Sequence, residues 1–208
     1  KGNFQIQSRA WFGITGGRNN KNEAIDSSYR RLGYDVIATS DYMRINRYGD
    51  HKPEYVPVYE HGYGIRKWHQ VVIGASVVSW RDYPLFQTLH HKQHIIDLLK
   101  RKNELVYVAH PRLRSGWNSS DFQYLTGYDG IEVLNYMRFS PTHWDAALSA
   151  GRYATILGND DAHDITQPLE VGHRFTFLHL PELERKKIIN ALNDGLAVGV
   201  DIFRTAEE

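Results

Sequence analysis

Three points in the second half of the chain gather residues able to do chemistry. Val108-Ala109-His110-Pro111, Gly130-Ile131-Glu132-Val133-Leu134-Asn135 and Leu157-Gly158-Asn159-Asp160-Asp161-Ala162-His163-Asp164 each run from apolar residues into histidine, carboxylate or amide. Asp161 and His163, with one residue between them, pair a carboxylate with an imidazole, a donor set suited to zinc, manganese or iron. In parallel α/β barrels reactive groups collect at the carboxyl ends of strands, where loops aim them inward. The spacing therefore points to a metal site, with His110, Asp161 and His163 as candidate catalytic and metal-ligating residues. The competing reading makes the same three residues hydrogen-bonded fixtures of strand ends.

Basic residues flank these points. Arg112 and Arg114 follow His110-Pro111, and Arg44 and Arg47 follow Asp41-Tyr42. If these forks converge over one mouth they favour a small anionic or phosphorylated ligand; otherwise they are surface arginines. His90, His91 and His94 offer two imidazoles at helical spacing, yet Lys92, Gln93 and Asp97 around them mark a solvated helix start. The glycine-rich Gly13 to Asn20 segment lacks a full dinucleotide or P-loop pattern and reads as a turn.

Elements that would position these groups follow from short β-branched runs, each succeeded by a helix-like segment. Strands are expected near Asn3 to Gln7, Val36 to Thr39, Val71 to Val78, Leu105 to Ala109, Gly130 to Leu134, Ala154 to Leu157 and Arg174 to His179. Helices are expected at Lys21 to Leu32, His90 to Lys102, Ser119 to Leu125, Pro141 to Ala150 and Pro181 to Asp194. The rhythm implies parallel strands with crossover helices, and seven of them suggest an α/β fold closed as a distorted seven-stranded (β/α)7 barrel, TIM-barrel-like. Met43 to Gln70 breaks the pattern with Gly49, Pro53, Pro57, Gly62 and Gly64 among many aromatics. It is expected to be a long loop or small hairpin over one mouth of the barrel.

Composition narrows the functions. Lys and Arg number 25 against 24 Asp and Glu, so no broad field draws the protein to nucleic acid or anionic lipid. With no cysteine, thiolate metal sites, cysteine nucleophiles and disulfides are excluded. No run reaches the roughly 18 apolar residues that span a bilayer, so a soluble protein is expected. At 208 residues one domain spanning 1–208 suffices. A leader removed before Lys1 would make the protein secreted or periplasmic; oligomeric state is not encoded in any visible pattern.

The order Ala109-His110-Pro111, Gly130-x-Glu132-Val133-x-Asn135, then Gly158-x-x-Asp161-Ala162-His163 resembles the later motifs of the polymerase-and-histidinol-phosphatase (PHP) phosphoesterases. Gly33 to Asp41 looks like the strand that in that family ends in Thr-Asp-His, and Asn3 to Ser8 looks like its opening His-x-His strand. The resemblance implies a distorted seven-stranded barrel, up to three zinc, manganese or iron ions, and hydrolysis of phosphate esters by metal-activated water. It also implies replaced ligands: Gln5 and Gln7 stand where the family has its first histidines, Tyr42 where it has the histidine after Asp41, and Ser76 where a bridging glutamate is expected. Arg9 to Gly17 holds no clear match for a further aspartate or histidine of the family.

An amide oxygen is a poor partner for these metals beside an imidazole or carboxylate. The expected cofactor is thus none or one divalent metal (Zn, Mn or Fe) held with weakened affinity. Gln5 and Gln7 alternate with Phe4 and Ile6 and so point inward, filling the metal cavity with hydrogen bonds to Asp161, His163 and Tyr42. Ligand-binding candidates are Gln5, Gln7, Asp41, Tyr42, Arg112, Arg114 and Glu132. Three functions remain: a weakly active or inactive PHP-like domain that binds a small anion or serves as an interaction module, a divergent phosphoesterase using one metal at His110, Asp161 and His163 with Glu132 or Asp41 as a further ligand, or a carbohydrate-binding accessory domain using the aromatic segment from Tyr42 to Trp68.

Overall fold

A computed structural model describes residues 1–11, 15–136 and 138–202. Phe12, Gly13 and Ile14, which belong to the glycine-rich segment and to the Arg9 to Gly17 stretch, lie outside the described residues. The strands are β1 (Gly2–Asn3), β2 (Val36–Ile37), β3 (Val58–His61), β4 (Gln70–Ala75), β5 (Asn103–Val108), β6 (Gly130–Asn135), β7 (Thr155–Asn159), β8 (Arg174–Leu178) and β9 (Ala197–Asp201). The helices are α1 (Asn22–Arg31), α2 (Leu89–Lys100), α3 (Pro141–Ser149) and α4 (Arg185–Asn193).

The strands form two sheets, of order β2-β1-β8-β9 and β3-β4-β5-β6-β7. Among the described residues they do not close, so the seven-stranded barrel is corrected to a mixed α/β fold of two sheets. Its premise fails at β4 and β5. A strand, a helix and a strand read as a parallel crossover, yet β4 and β5 are antiparallel, Gln70 facing Val108 and Ala75 facing Asn103. The long segment 76–88 carries the chain back before α2 begins, so the helix returns it to the start of a reversed strand. Among the strand pairs of the described residues, β1 with β2, β5 with β6 and β6 with β7 are parallel. Single bridges, Ile6 with Ala162 and Tyr42 with Glu60, tie the sheets together beyond the strand ends.

β4 and β5 are rich in β-branched residues because both their faces are covered. Val71, Ile73, Leu105 and Tyr107 pack with Phe4 and with Ile188 and Leu192 of α4. Val72 and Val106, on the alternate side, pack with Ile95 and Leu99 of α2. β6 rests on Trp117, Phe122, Tyr128 and Ala147 of α3. The expected helix at Ser119 to Leu125 is a 3-10 turn, Ser119–Gln123.

Local chemistry sets the helix ends. Thr88 opens α2 with a capping box closed by His91, whose Nδ1 accepts from the Thr88 amide, and His94 Nδ1 meets the Tyr83 hydroxyl at 2.7 Å. These contacts give His91 and His94 a structural role. Ser140 precedes Pro141 as expected, but its hydroxyl accepts from the Arg112 amide instead of capping α3. Among the described residues no helix is long and apolar enough to cross a membrane.

Candidate metal centre

Glu60 of β3 is the focus of the buried polar residues. β3 pairs antiparallel with β4, Glu60 facing Val71 and His61 facing Gln70, which brings the residue just before β4, His69, alongside the glutamate. His69 Nδ1 lies 2.6 Å from Glu60 Oε1, and His110 Nε2, arriving from the end of β5, lies 3.1 Å from the same oxygen. One ligand atom from each of Glu60, His69 and His110 falls within 4.8 Å of the others, all three residues being buried. Gln7 Nε2 donates to the other carboxylate oxygen at 2.8 Å.

Buried carboxylates and amides from β6 and β7 hold this group. Glu132 of β6 accepts from the His110 main-chain N–H at 2.9 Å and from the amides of Asn135 at 2.9 Å and Asn159 at 2.8 Å. Asn135 also donates to Asp161 Oδ2 at 3.2 Å. His110 and Asp161 adopt φ of 26° and 51°, left-handed backbone that side chains with a Cβ avoid, so packing and these bonds must hold them there.

Burial disfavours ionisation of Glu60, but the His69 and His110 rings outweigh it and hold the carboxyl well below the usual range. Burial dominates at His69 and pushes its imidazole down to about 4 despite the pull of Glu60. At His110 burial also works downward, yet the Glu60 hydrogen bond and charge, with Asp161 and Glu132 behind, raise it to about 9. The two rings part because burial prevails at His69 while the carboxylates prevail at His110, and with centroids 5.3 Å apart the His110 charge adds to the pressure against a second imidazolium. Burial pushes Asp161 up to about 6, opposed by His163, and Glu132 up to about 8, opposed by His110.

Several buried polar atoms here have no protein partner: His69 Nε2, His110 Nδ1, Asp161 Oδ1, Gln7 Oε1 and both amide atoms of Gln5. Buried polar groups are ordinarily satisfied, so such a concentration is what a site awaiting an ion, water or ligand looks like. The mixed imidazole and carboxylate set suits zinc, manganese or iron. The residues present therefore fit a divalent metal.

The sequence-derived residues fall into groups. His110 belongs to the cluster. Asp161 and His163 lie next to it, His163 Nδ1 turned 2.8 Å from the Asp161 carbonyl and its ring 6.3 Å from Tyr42. Tyr42 is buried, its ring 5.3 Å from His69, and burial first and Glu60 second keep its phenol well above the ordinary value. Gln7 finds Glu60, not Asp161, His163 or Tyr42, and Gln5 is buried without any of them. Asp41 is spent on structure, accepting from the Ser8 amide at 2.8 Å, the Ser8 hydroxyl at 2.7 Å and the Arg9 amide at 3.1 Å. Arg114 lines a cleft with Lys67, Tyr42, Asp161 and His163. Arg112 is exposed and not part of that lining.

Ser76 is not at the centre. It is exposed just beyond β4, its amide bonded to Asn103, and the buried carboxylate is Glu60. Glu60 and His69 were the residues the sequence did not reveal. Trp68, at the end of the aromatic segment considered for sugar binding, is 5 % exposed and sits in the same buried cluster as Trp117, its indole N–H on the Gly116 carbonyl. An aromatic corner does exist elsewhere: Trp11 meets Tyr63 and Trp80 edge-on, each at 6.3 Å.

No protein-family model matches the chain, and no curated protein matches it. Among solved structures it is similar to the crystal structure of a two-domain protein from Bacteroides vulgatus containing a predicted PHP-like metal-dependent phosphoesterase, with a TM-score of 0.64 and 17 % identity over 96 % of this chain. The chain spans 64 % of that protein's length. At that identity the likeness is one of fold.

Proposed function

We propose that the protein holds one divalent transition-metal ion at Glu60, His69 and His110 and hydrolyses a phosphate ester beside it. The observation that carries this reading is the convergence of those three buried ligand atoms within 4.8 Å of one another. The partnerless polar atoms of His69, His110, Asp161 and Gln7 around them support it, as does a fold shared with a protein described as a PHP-like phosphoesterase. A single ion is favoured over a cluster because Gln5, Gln7 and Tyr42 bring amides and a phenol to the same cavity, and turnover is accordingly slow.

When bound, such an ion polarises a phosphoryl oxygen and makes water a better nucleophile near neutral pH. The chain's own residues do the rest. Gln7 fixes one oxygen of Glu60, leaving the other towards the two rings. Glu132 holds the main chain of His110 in its left-handed turn. Tyr42 stays protonated at neutral pH and offers a hydroxyl beside Glu60. His163, partly exposed at 14 %, lines the cleft where a leaving alcohol would need a proton.

The test is hydrolysis of p-nitrophenyl phosphate by protein stripped with chelator and reloaded with Mn²⁺ or Zn²⁺. Turnover should appear only on reloading and vanish in Glu60→Gln and His69→Ala. Hydrolysis that survives chelation, or that Glu60→Gln leaves intact, would defeat the reading.

A further inference from the structure

A cleft of about 300 Å³, whose lining includes Tyr42, Lys67, Arg114, Asp161, His163 and Glu170, neighbours the buried cluster through Tyr42, whose ring lies 5.3 Å from that of His69. Two of these are cations. The Lys67 ammonium sits 5.8 Å from the centre of the Tyr42 ring, with its side chain partly buried. Arg114, exposed, is tethered by one guanidinium nitrogen to the Ile65 carbonyl at 3.3 Å.

Backbone strain marks the same spot. Six non-glycine residues among those described have positive φ, and Lys67 (61°), Arg114 (51°) and Asp161 (51°) all line this one cleft. Left-handed backbone is strained for any residue that carries a Cβ. Strain gathered around one opening, with a lysine and an arginine carried on it, is arranged for a ligand more readily than for the fold.

We propose that Lys67, with Arg114 beside it, receives the phosphate group at this cleft and selects dianionic phosphate monoesters over monoanionic diesters. The proposal rests on the metal-centre reading for the reaction, but the anion site itself is made of side chains. A monoester carries roughly 1.5 to 2 negative charges at neutral pH, and a diester one fewer oxygen able to ionise. Lysine supplies a compact charge with three donors and arginine a planar fork, so a second cation at the rim rewards the second phosphate charge. The cleft's size suits a small alcohol on that phosphate.

Calorimetric titration with inorganic phosphate, on both chelated and metal-reloaded protein, tests this, with metal stoichiometry read in parallel. Lys67→Met, which keeps the side-chain stem over Tyr42, should weaken phosphate binding about tenfold in both forms while metal uptake stays as in the wild type. Lys67→Arg should recover most of it. In turnover, Lys67→Met should raise KM for p-nitrophenyl phosphate about tenfold with kcat within about twofold, leaving bis(p-nitrophenyl) phosphate little changed. Equal phosphate affinity in Lys67→Met, or an equal loss for monoester and diester, would overturn the proposal. Should Lys67→Met fail to fold, Lys67→Asn, which tolerates left-handed backbone, answers the same question. A protein that takes up no metal overturns the metal-centre reading, and phosphate binding to the chelated form still decides the role of Lys67.

Discussion

Glu132→Gln is the most informative single change, because it keeps size and shape and alters only the hydrogen-bond inventory. Glu132 is fully buried and both its oxygens accept: Oε2 from the His110 main-chain N–H and the Asn135 amide, Oε1 from the Asn159 amide. A glutamine must set its own NH2 against one of these donors. Facing Asn159 is the milder choice, and Asn159 cannot turn to help, since its Oδ1 already takes the Phe4 amide at 2.7 Å. Two buried donors are then stranded, at about 1–3 kcal/mol each. The net loss is taken at the low end of that sum, about 2 kcal/mol. Urea unfolding followed by tryptophan fluorescence should show the midpoint fall by about 1 M, given a slope of about 1–3 kcal/mol per M. The same change loosens His110, so metal affinity should drop about 10- to 100-fold. Exposed Glu182→Gln serves as the control. A midpoint within about 0.3 M of wild type together with unchanged metal affinity would refute the view that Glu132 positions His110.

Two further changes probe the surroundings. Gly17 has φ 86°, and a Cβ there would lie 2.6 Å from both the Cβ and the carbonyl oxygen of His163, whereas Gly33, at φ 75°, has nothing within 4 Å. Both Gly→Ala variants should lose roughly 1–2 kcal/mol of stability from backbone strain, Gly17→Ala more because of the clash, and only Gly17→Ala should lose phosphatase turnover as well; equal turnover in the two variants would show that His163 is not placed by this contact. His143 of α3 is buried with Nε2 on the Trp117 carbonyl, and burial lowers its imidazole from the ordinary 6.5. Its folded form binds fewer protons than the unfolded chain below that value, so stability is intact above it and falls as pH drops through it. His143→Gln should lose less stability than wild type between pH 7.5 and 5.5 in the same urea assay, and equal losses would assign the acid sensitivity elsewhere.

The second half of the chain was legible because its strands are short apolar runs ending abruptly in polar residues. β5, β6 and β7 fall within a residue or two of expectation and deliver His110, Glu132 and Asp161 to one end of the sheet. The first half hid its key residues. β3 is four residues, Val-Tyr-Glu-His, with every one buried, so neither polar and apolar alternation nor a hydrophobic run announces it. The prolines and glycines around it give Met43 to Gln70 the look of a long loop or small hairpin; β3 does pair antiparallel with β4, but nothing in the segment singles out Glu60 and His69. The visible signal was the position of His69 immediately before the apolar Gln70–Ala75 strand, the same placement that made His110 conspicuous after its own strand. The barrel expectation failed for a related reason: strand and helix rhythm encodes the order of elements, while strand direction depends on how far an irregular segment such as 76–88 carries the chain.

The central claim is that Glu60, His69 and His110 hold a metal ion. Protein loaded with Zn²⁺ or Mn²⁺, desalted and analysed by inductively coupled plasma mass spectrometry beside Glu60→Gln and His69→Ala decides it. The account predicts close to one ion per wild-type chain and almost none in either variant. Equal metal in all three proteins, or none in the wild type, would contradict it.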